Sequence, residues 1–433
     1  MTRARSCRRC PAAALAWALL AAVLVLLVSI CLLTSSRTAL GEPRDEGSVA
    51  ADIASCVGGV VEGLGADDIA TLLASEDFPT DSSSAQWLAF DFERLGLTNG
   101  SDAYLARLEA WVTACYAGPE KGLDSRESTT WSRVAIVVHA LGGDPTAFGT
   151  DASGAPANLI ADGIYDWSYT DDIASQGSNA CIYGILALDV CGVAVPDGAR
   201  YTEQDLIDSL LAAQAGDGSF ALNASAASGS VDLTAMALSA LAIHVDQPAV
   251  ASAVDKALGY LSDQQSGDGR YEAEGLETSE SSSMVIVGLC ALGIDPAADE
   301  RFVKDGHSAL DGLMSFQRAD GTFSHMDDDT LSSVSYLASE QALRALIAYE
   351  ELLLSGDGNV YTADVPVELA SLTDVSGLSQ VAAEGGASGA AGSANPVLSW
   401  VLGLACGAAA AGIAWGVWHA RRGARKRAHR GML

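Results

Sequence analysis

Residues 165–172, Tyr-Asp-Trp-Ser-Tyr-Thr-Asp-Asp, put three aromatic side chains and three carboxylates into one short stretch. Flat rings beside acids suit a sugar face or a peptide: the ring offers apolar stacking, the carboxylate a charge-assisted hydrogen bond. Trp87 and Trp131 head the two preceding apolar runs, and Gln176, Asn179 and Asp232 stand at the polar starts of the next two. Trp87, Trp131, Tyr165, Asp166, Trp167, Tyr169, Asp171, Asp172, Gln176, Asn179 and Asp232 therefore make up a candidate ligand-binding mouth. The plainer assignment is that the rings pack and that Ser, Thr, Asp and Glu stand where helices begin, for reasons of capping and dipole.

Carboxylates could also do chemistry. Asp171, Asp172, Asp232 or Asp327 could supply the acid and base of a polysaccharide hydrolase or lyase, which needs two carboxyl groups roughly 5–10 Å apart. Asp327-Asp328-Asp329 offers the oxygen ligands that calcium takes, but without EF-hand spacing. No metal or cofactor is expected from these patterns.

The elements that must position these residues repeat. Leu95, Leu141, Leu188, Leu241, Leu292 and Leu346 stand near the ends of Ala-rich apolar runs, at intervals of 46, 47, 53, 51 and 54 residues. A period near 50 sustained over six units specifies a repeat architecture. After two of the runs come Gly142-Gly143-Asp144-Pro145 and Gly293-Ile294-Asp295-Pro296. Gly closes a helix, Asp caps the next and Pro fits its first turn, so helical hairpins are expected.

Three units end on a shared phrase: Gln214-Ala-Gly-Asp217-Gly218-Ser-Phe220, Gln265-Ser-Gly-Asp268-Gly269-Arg-Tyr271 and Gln317-Arg-Ala-Asp320-Gly321-Thr-Phe323. The Gln amide can reach unpaired helix-end carbonyls, Asp-Gly makes a turn, and the aromatic folds back over apolar surface. It reads as a structural clasp. Asp162-Gly163-Ile-Tyr165 lacks the Gln, and Lys121-Gly122-Leu123-Asp124 keeps little of it.

This clasp at a period near 50 resembles the repeats of triterpene cyclases and protein prenyltransferases, the prenyltransferase and squalene oxidase repeat. The resemblance spans residues 48–353 and implies an all-α, (α/α)6 toroid of six inner and six outer helices. Inner helices are expected at 84–95, 129–141, 176–190, 231–243, 279–292 and 334–353, and outer ones at 48–63, 102–116, 155–163, 202–214, 249–265 and 301–317. If the inner helices run parallel, their polar starts share one rim.

The chemistry of the family is not implied with its fold. Its cyclases protonate substrate with an Asp-x-Asp-Asp motif. Asp171-Asp172 and Asp327-Asp328-Asp329 each lack the first Asp at the required offset, and only 6% of residues are aromatic, too few for a carbocation cavity. Its prenyltransferases hold zinc with Asp, Cys and His. Asp189-Val190-Cys191 with His244 offers that set, but at the end of an inner helix rather than at its start. The thioester of complement-type relatives is missing, since Gly177-Ser-Asn-Ala-Cys181 has no Glu-Gln after the Cys.

The ends of the chain read as membrane segments. Arg3, Arg5, Arg8 and Arg9 precede an uncharged apolar run from Pro11 to Leu33, which leaves residues 1–40 open as a cleaved signal or an uncleaved anchor. Pro396 to Trp418 is apolar, edged by Trp400, Trp415 and Trp418, and followed by six Lys or Arg in a tail, 419–433, expected to be cytoplasmic. Residues 45–354 then form an extracellular domain, joined to the 396–418 transmembrane helix by an acidic Gly/Ala/Ser stalk at 355–395. Between the basic ends, 14 of the 24 Lys and Arg stand against all 55 Asp and Glu, a net of −41. Such a field repels nucleic acid and anionic headgroups.

Five cysteines fall in this domain. An odd number argues against a dense disulfide scaffold, though Cys56 and Cys115 on the first two outer helices could bridge. The expectation is a cell-membrane protein whose toroid binds a ligand of sugar, corrinoid or peptide type at its polar rim, as extracellular cobalamin carriers of the fold do, without terpene-cyclase or prenyltransferase catalysis. Polysaccharide cleavage, divergent terpenoid or prenyl chemistry, and a structural role remain as alternatives.

Overall fold

The computed structural model describes residues 46–362, apart from residue 274 and residues 327–335. Residues 1–40, the 396–418 span, the basic tail, most of the stalk and Asp327, Asp328 and Asp329 lie outside the described residues. No helix among the described residues is long and apolar enough to cross a membrane.

The protein is all-α. The helices are α1 (Glu46–Gly63), α2 (Ile69–Ala74), α3 (Ser83–Arg94), α4 (Ser101–Ala117), α5 (Ser128–Ala140), α6 (Ser178–Cys191), α7 (Glu203–Ala212), α8 (Val231–Leu241), α9 (Pro248–Gln264), α10 (Ser279–Ala291), α11 (Ala309–Met314) and α12 (Tyr336–Ser355). Two small antiparallel pairs accompany them: β1 (Glu272–Ala273) with β2 (Leu276–Glu277), and β3 (Val303–Lys304) with β4 (His307–Ser308).

Burial divides the helices into two kinds. On α5, Trp131, Ser132, Val134, Ala135, Ile136, Val137 and Val138 are all buried, and on α10 burial runs almost without a break from Ser279 to Cys290. A helix apolar all round needs neighbours on every side. By contrast α9 buries Val250, Ala253, Val254, Ala257, Leu258 and Leu261, one stripe at helical spacing. Packing follows this division: α3, α5, α6, α8, α10 and α12 each contact the next, and α12 contacts α3, closing the cycle. The striped helices lie outside it, α1 on α12, α7 on α6, α9 on α8 and α11 on α10.

Polar side chains start these helices as capping requires. Ser82, Ser230 and Thr278 accept from Ala85, Leu233 and Ser281 N–H at the starts of α3, α8 and α10. Thr202 with Asp205 and Ser308 with Asp311 form reciprocal capping boxes on α7 and α11.

Two expected outer helices are absent as such. Over 155–163 only residues 159 and 160 and the π-helical turn Ala161–Tyr165 that continues them are helical, and 301–317 divides into a 3₁₀ turn, the β3–β4 hairpin and the short α11. The Asp-Pro steps account for this. Asp144 and Asp295 accept from Thr146 and Ala297 N–H two residues on, so each closes a turn instead of starting a helix. At 303–308 the left-handed pair Asp305 (φ 50) and Gly306 (φ 92) supplies a hairpin turn.

The clasps tie neighbouring units together. Gln214 Nε2 donates to Gly218 O (3.0 Å) and Ala253 O (2.8 Å), and Gln265 Nε2 to Gly269 O (3.3 Å) and Phe302 O (3.0 Å). The amide therefore bridges its own turn to the next outer segment and does not cap its own helix. Asp217 and Asp320 hold their turns through Ser219 and Thr322, and Asp268 through Ser266. Phe220, Tyr271 and Phe323 are fully buried. At Gly321 (φ 84) a Cβ would lie 2.2 Å from Ser55 O on α1; Gly218 and Gly269 meet Lys256 O and Ser308 O in the same way. The last clasp thus packs on the first helix.

All five cysteines of this region are free thiols, and Cys56 donates to Ser339 O on α12, so the bridge to Cys115 is not formed. The folded part also runs past the expected boundary at 354: Asn359 and Val360 are buried and Tyr361 packs on Trp87 and Phe90.

Candidate functional site

Charge buried inside an apolar helix is the feature that most needs explaining, because an unpaired ion there is costly. On α3, within Trp87-Leu-Ala-Phe-Asp-Phe92, Asp91 has no exposed surface. On α12, one turn apart, Glu340 and Arg344 are buried as well. Arg344 Nε and Nη2 form a two-pronged pair with Asp91 Oδ1 and Oδ2, both at 3.0 Å, and Nη2 also donates to Glu340 Oε1. The guanidinium lies 4.4 Å above the Trp87 ring, an arrangement that favours a cation.

Two further helices reach the same place. Arg133 on α5 donates from Nε to Gln86 Oε1 (2.6 Å), and Tyr183 on α6 sets its ring 6.1 Å from that of Trp87. Tyr361 closes against Trp87 and Phe90 at 6.2 and 5.9 Å. Four helices of the cycle and the end of the described chain meet here.

Several hydrogen-bonding atoms are left over. Among the described residues neither the Nη atoms of Arg133 nor the hydroxyl of Tyr183 has a hydrogen-bond or ion-pair partner, and both side chains are half-buried. The Oε2 of Glu340 is buried without one. Burial, reinforced by Asp91 and opposed by Arg344, pushes the Glu340 carboxyl up to about 8. Burial therefore favours the protonated form of this carboxyl while its contact with Arg344 favours the charged one. Burial pushes Asp91 upward too, with Arg344 opposing. Arg344 is thus committed to two buried acids, whereas the Nη atoms of Arg133 and the Tyr183 hydroxyl are spare donors.

The expected mouth divides between two places. Trp87 is in this cluster, and Asn179 lies one turn before Tyr183 on the same face of α6. Gln176 Oε1 accepts from the first N–H of α5 (2.8 Å), and its Nε2, like Asn179 Oδ1, is buried without a partner among the described residues. Asp232 is half-buried in the first turn of α8.

The aromatic loop is built differently. Trp131 and Trp167 have no exposed surface, and their indole N–H groups donate to Asp124 O (2.7 Å) and Thr170 Oγ1 (2.8 Å). Tyr169 packs on both rings and donates to Lys121 O, and Tyr165 is buried. A Cβ on Gly163 would meet Trp131 Cβ at 2.2 Å and its ring at 2.7 Å, so this weak clasp is closed by packing. Asp166, Asp171 and Asp172 are exposed. Asp172 caps the 3₁₀ turn Ile173–Gln176, Asp166 accepts from Arg200 N–H, and the Asp171 carbonyl accepts from Arg200 Nη2. These rings and acids are positioned as core and turn residues.

Asp91, Arg133, Tyr183, Glu340, Arg344 and Tyr361 are additional to the sequence-predicted set. The signal for them is an ionic side chain inside an otherwise apolar run, as at Asp91 and Arg133. Among known proteins, the chain matches no family model and none of the curated proteins.

Proposed function

We propose that the chain is a membrane-anchored extracellular (α/α)6 toroid that binds a small anionic ligand, of peptide-carboxylate or sugar-acid class, between α3, α5, α6 and α12. The observation that carries the reading is the Arg133 fork, held through Nε by Gln86 with its outer nitrogens uncommitted. A planar guanidinium with two free N–H groups matches a carboxylate or phosphate oxygen pair. Tyr183 adds a neutral donor and Trp87 an apolar face. The closed order of contacts among six helices supports the toroid, and the 396–418 sequence with its basic flank supports the anchor. Because the acidic exterior repels anions, the attraction must come from the local Arg133 fork once a ligand has entered.

Calorimetric titration of the full-length chain in detergent with acetylated dipeptides, galacturonate and inorganic phosphate tests this. Binding by at least one probe is expected, weakened roughly tenfold or more in Arg133→Met, consistent with the worth of a charge-assisted hydrogen bond, with the melting temperature held within about 2 °C. Equal affinity in Arg133→Met, or no binding by any of the three probes, overturns the reading.

A further inference from the structure

A second cluster sits at the far end of α6. Asp189 in its last turn, Glu203 opening α7 and His244 ending the 3₁₀ turn after α8 bring one ligand atom each to within 4.8 Å of one another. Three separate segments converge, two of them from adjacent units. His244 Nε2 already lies 3.1 Å from Asp189 Oδ2, and the two side chains are only 12% and 9% exposed.

We propose that Asp189, Glu203 and His244 form a site for a divalent transition cation of the zinc type, one nitrogen and two oxygen donors with the remaining position left to water. Ligand atoms around tetrahedral zinc at the usual 2.0–2.2 Å stand roughly 3.3 Å apart. The His244–Asp189 separation fits that spacing, and the widest gap needs to close by little more than a rotamer adjustment. Two carboxylates held side by side repel unless a cation or a proton lies between them. The imidazole decides which cation: calcium and magnesium take oxygen, whereas His with carboxylates suits zinc and its neighbours. On loading, the imidazole binds in its neutral form through Nε2 and any proton held within the cluster leaves to solvent.

The site differs from an Asp-Cys-His set. Cys191 lies two residues beyond Asp189, yet its thiol points to Ala135 O on α5 (3.7 Å). The cluster also lies apart from the Arg133 cluster, so it does not depend on the reading of that site.

The test uses the chelator-treated full-length chain with zinc and cobalt. Equilibrium dialysis is expected to give a tight zinc site that weakens at least tenfold in His244→Ala and in Glu203→Gln, and is unchanged in Cys191→Ser. Cobalt should show visible d–d bands without a thiolate charge-transfer band. Without metal, Glu203→Gln and Cys191→Ser should melt near the wild type and His244→Ala, which strips Asp189 of its partner, lower; zinc should raise the melting temperature in the wild type and Cys191→Ser alone. Zinc binding that survives both ligand substitutions, a thiolate band lost in Cys191→Ser, or no zinc uptake by the wild type each overturns the proposal. If His244→Ala does not fold, Glu203→Gln and the cobalt spectrum decide.

Discussion

Two regions of this protein carry aromatic and acidic side chains together, and they differ in which of the two is buried. In the loop over residues 165–172 the Tyr165 and Trp167 rings are inside and the carboxylates outside, and the indole N–H groups of Trp167 and of Trp131 beside it are each spent on a neighbour. Between α3 and α12 the acids themselves are inside, bound to one guanidinium, with donors left over beside them. The first arrangement is what packing and capping produce unaided. The second costs desolvation that packing does not require, and such costs collect where ligands are handled.

The comparison breaks most visibly at Arg344. Replacing it with Leu leaves Asp91 buried without its partner, and a loss of about 3–5 kcal/mol is expected in urea unfolding. A loss under about 1 kcal/mol would mean that water already reaches these acids. Trp167→Ala is expected to cost about 3 kcal/mol by emptying core volume, while titrations with the anionic probes stay unchanged; a selective change in affinity would return the loop to the binding site.

A pH scan sharpens the contrast. Glu340 is held up to about 8 and Glu351 up to about 7, in each case chiefly by burial. The folded state therefore binds more protons than the unfolded one, and the stability this contributes is present in full below the ordinary carboxylate range and is lost as pH rises from there toward 8. Melting temperature should fall across that interval, and less steeply in Glu340→Gln. The exposed loop acids give the smallest effect: Asp171→Ala should change stability by less than about 0.5 kcal/mol in urea unfolding.

Much of the scaffold is legible in the sequence because its causes are local. Expected inner helices at 84–95, 129–141 and 279–292 stand as Ser83–Arg94, Ser128–Ala140 and Ser279–Ala291, since apolar runs and capping residues fix them within one turn. The two misplaced outer helices fail at Asp-Pro steps, where the same residues serve a turn as well as a helix start. Trp87, Gln176 and Asn179 could be singled out because they stand at polar helix starts. Arg344 could not, because its meaning depends on Asp91, 253 residues away. A charge in an apolar run announces that a partner exists without saying where.

The contact between the last clasp and the first helix bears on how the chain reaches its fold. In an open array each repeat needs only its neighbour, so folding can begin anywhere and proceed as the chain is made. Here Gly321 abuts Ser55, and Cys56 donates to the carbonyl of Ser339, 283 residues on. Helix α1 emerges first and must wait, apolar stripe uncovered, until α12 has been synthesised. The entropy of so large a loop grows only slowly with its length, but it is lost before the contacts return anything. Folding of this protein should accordingly finish in one late step, and a chain truncated before α12 should expose the apolar stripe of α1 to chaperones and proteases.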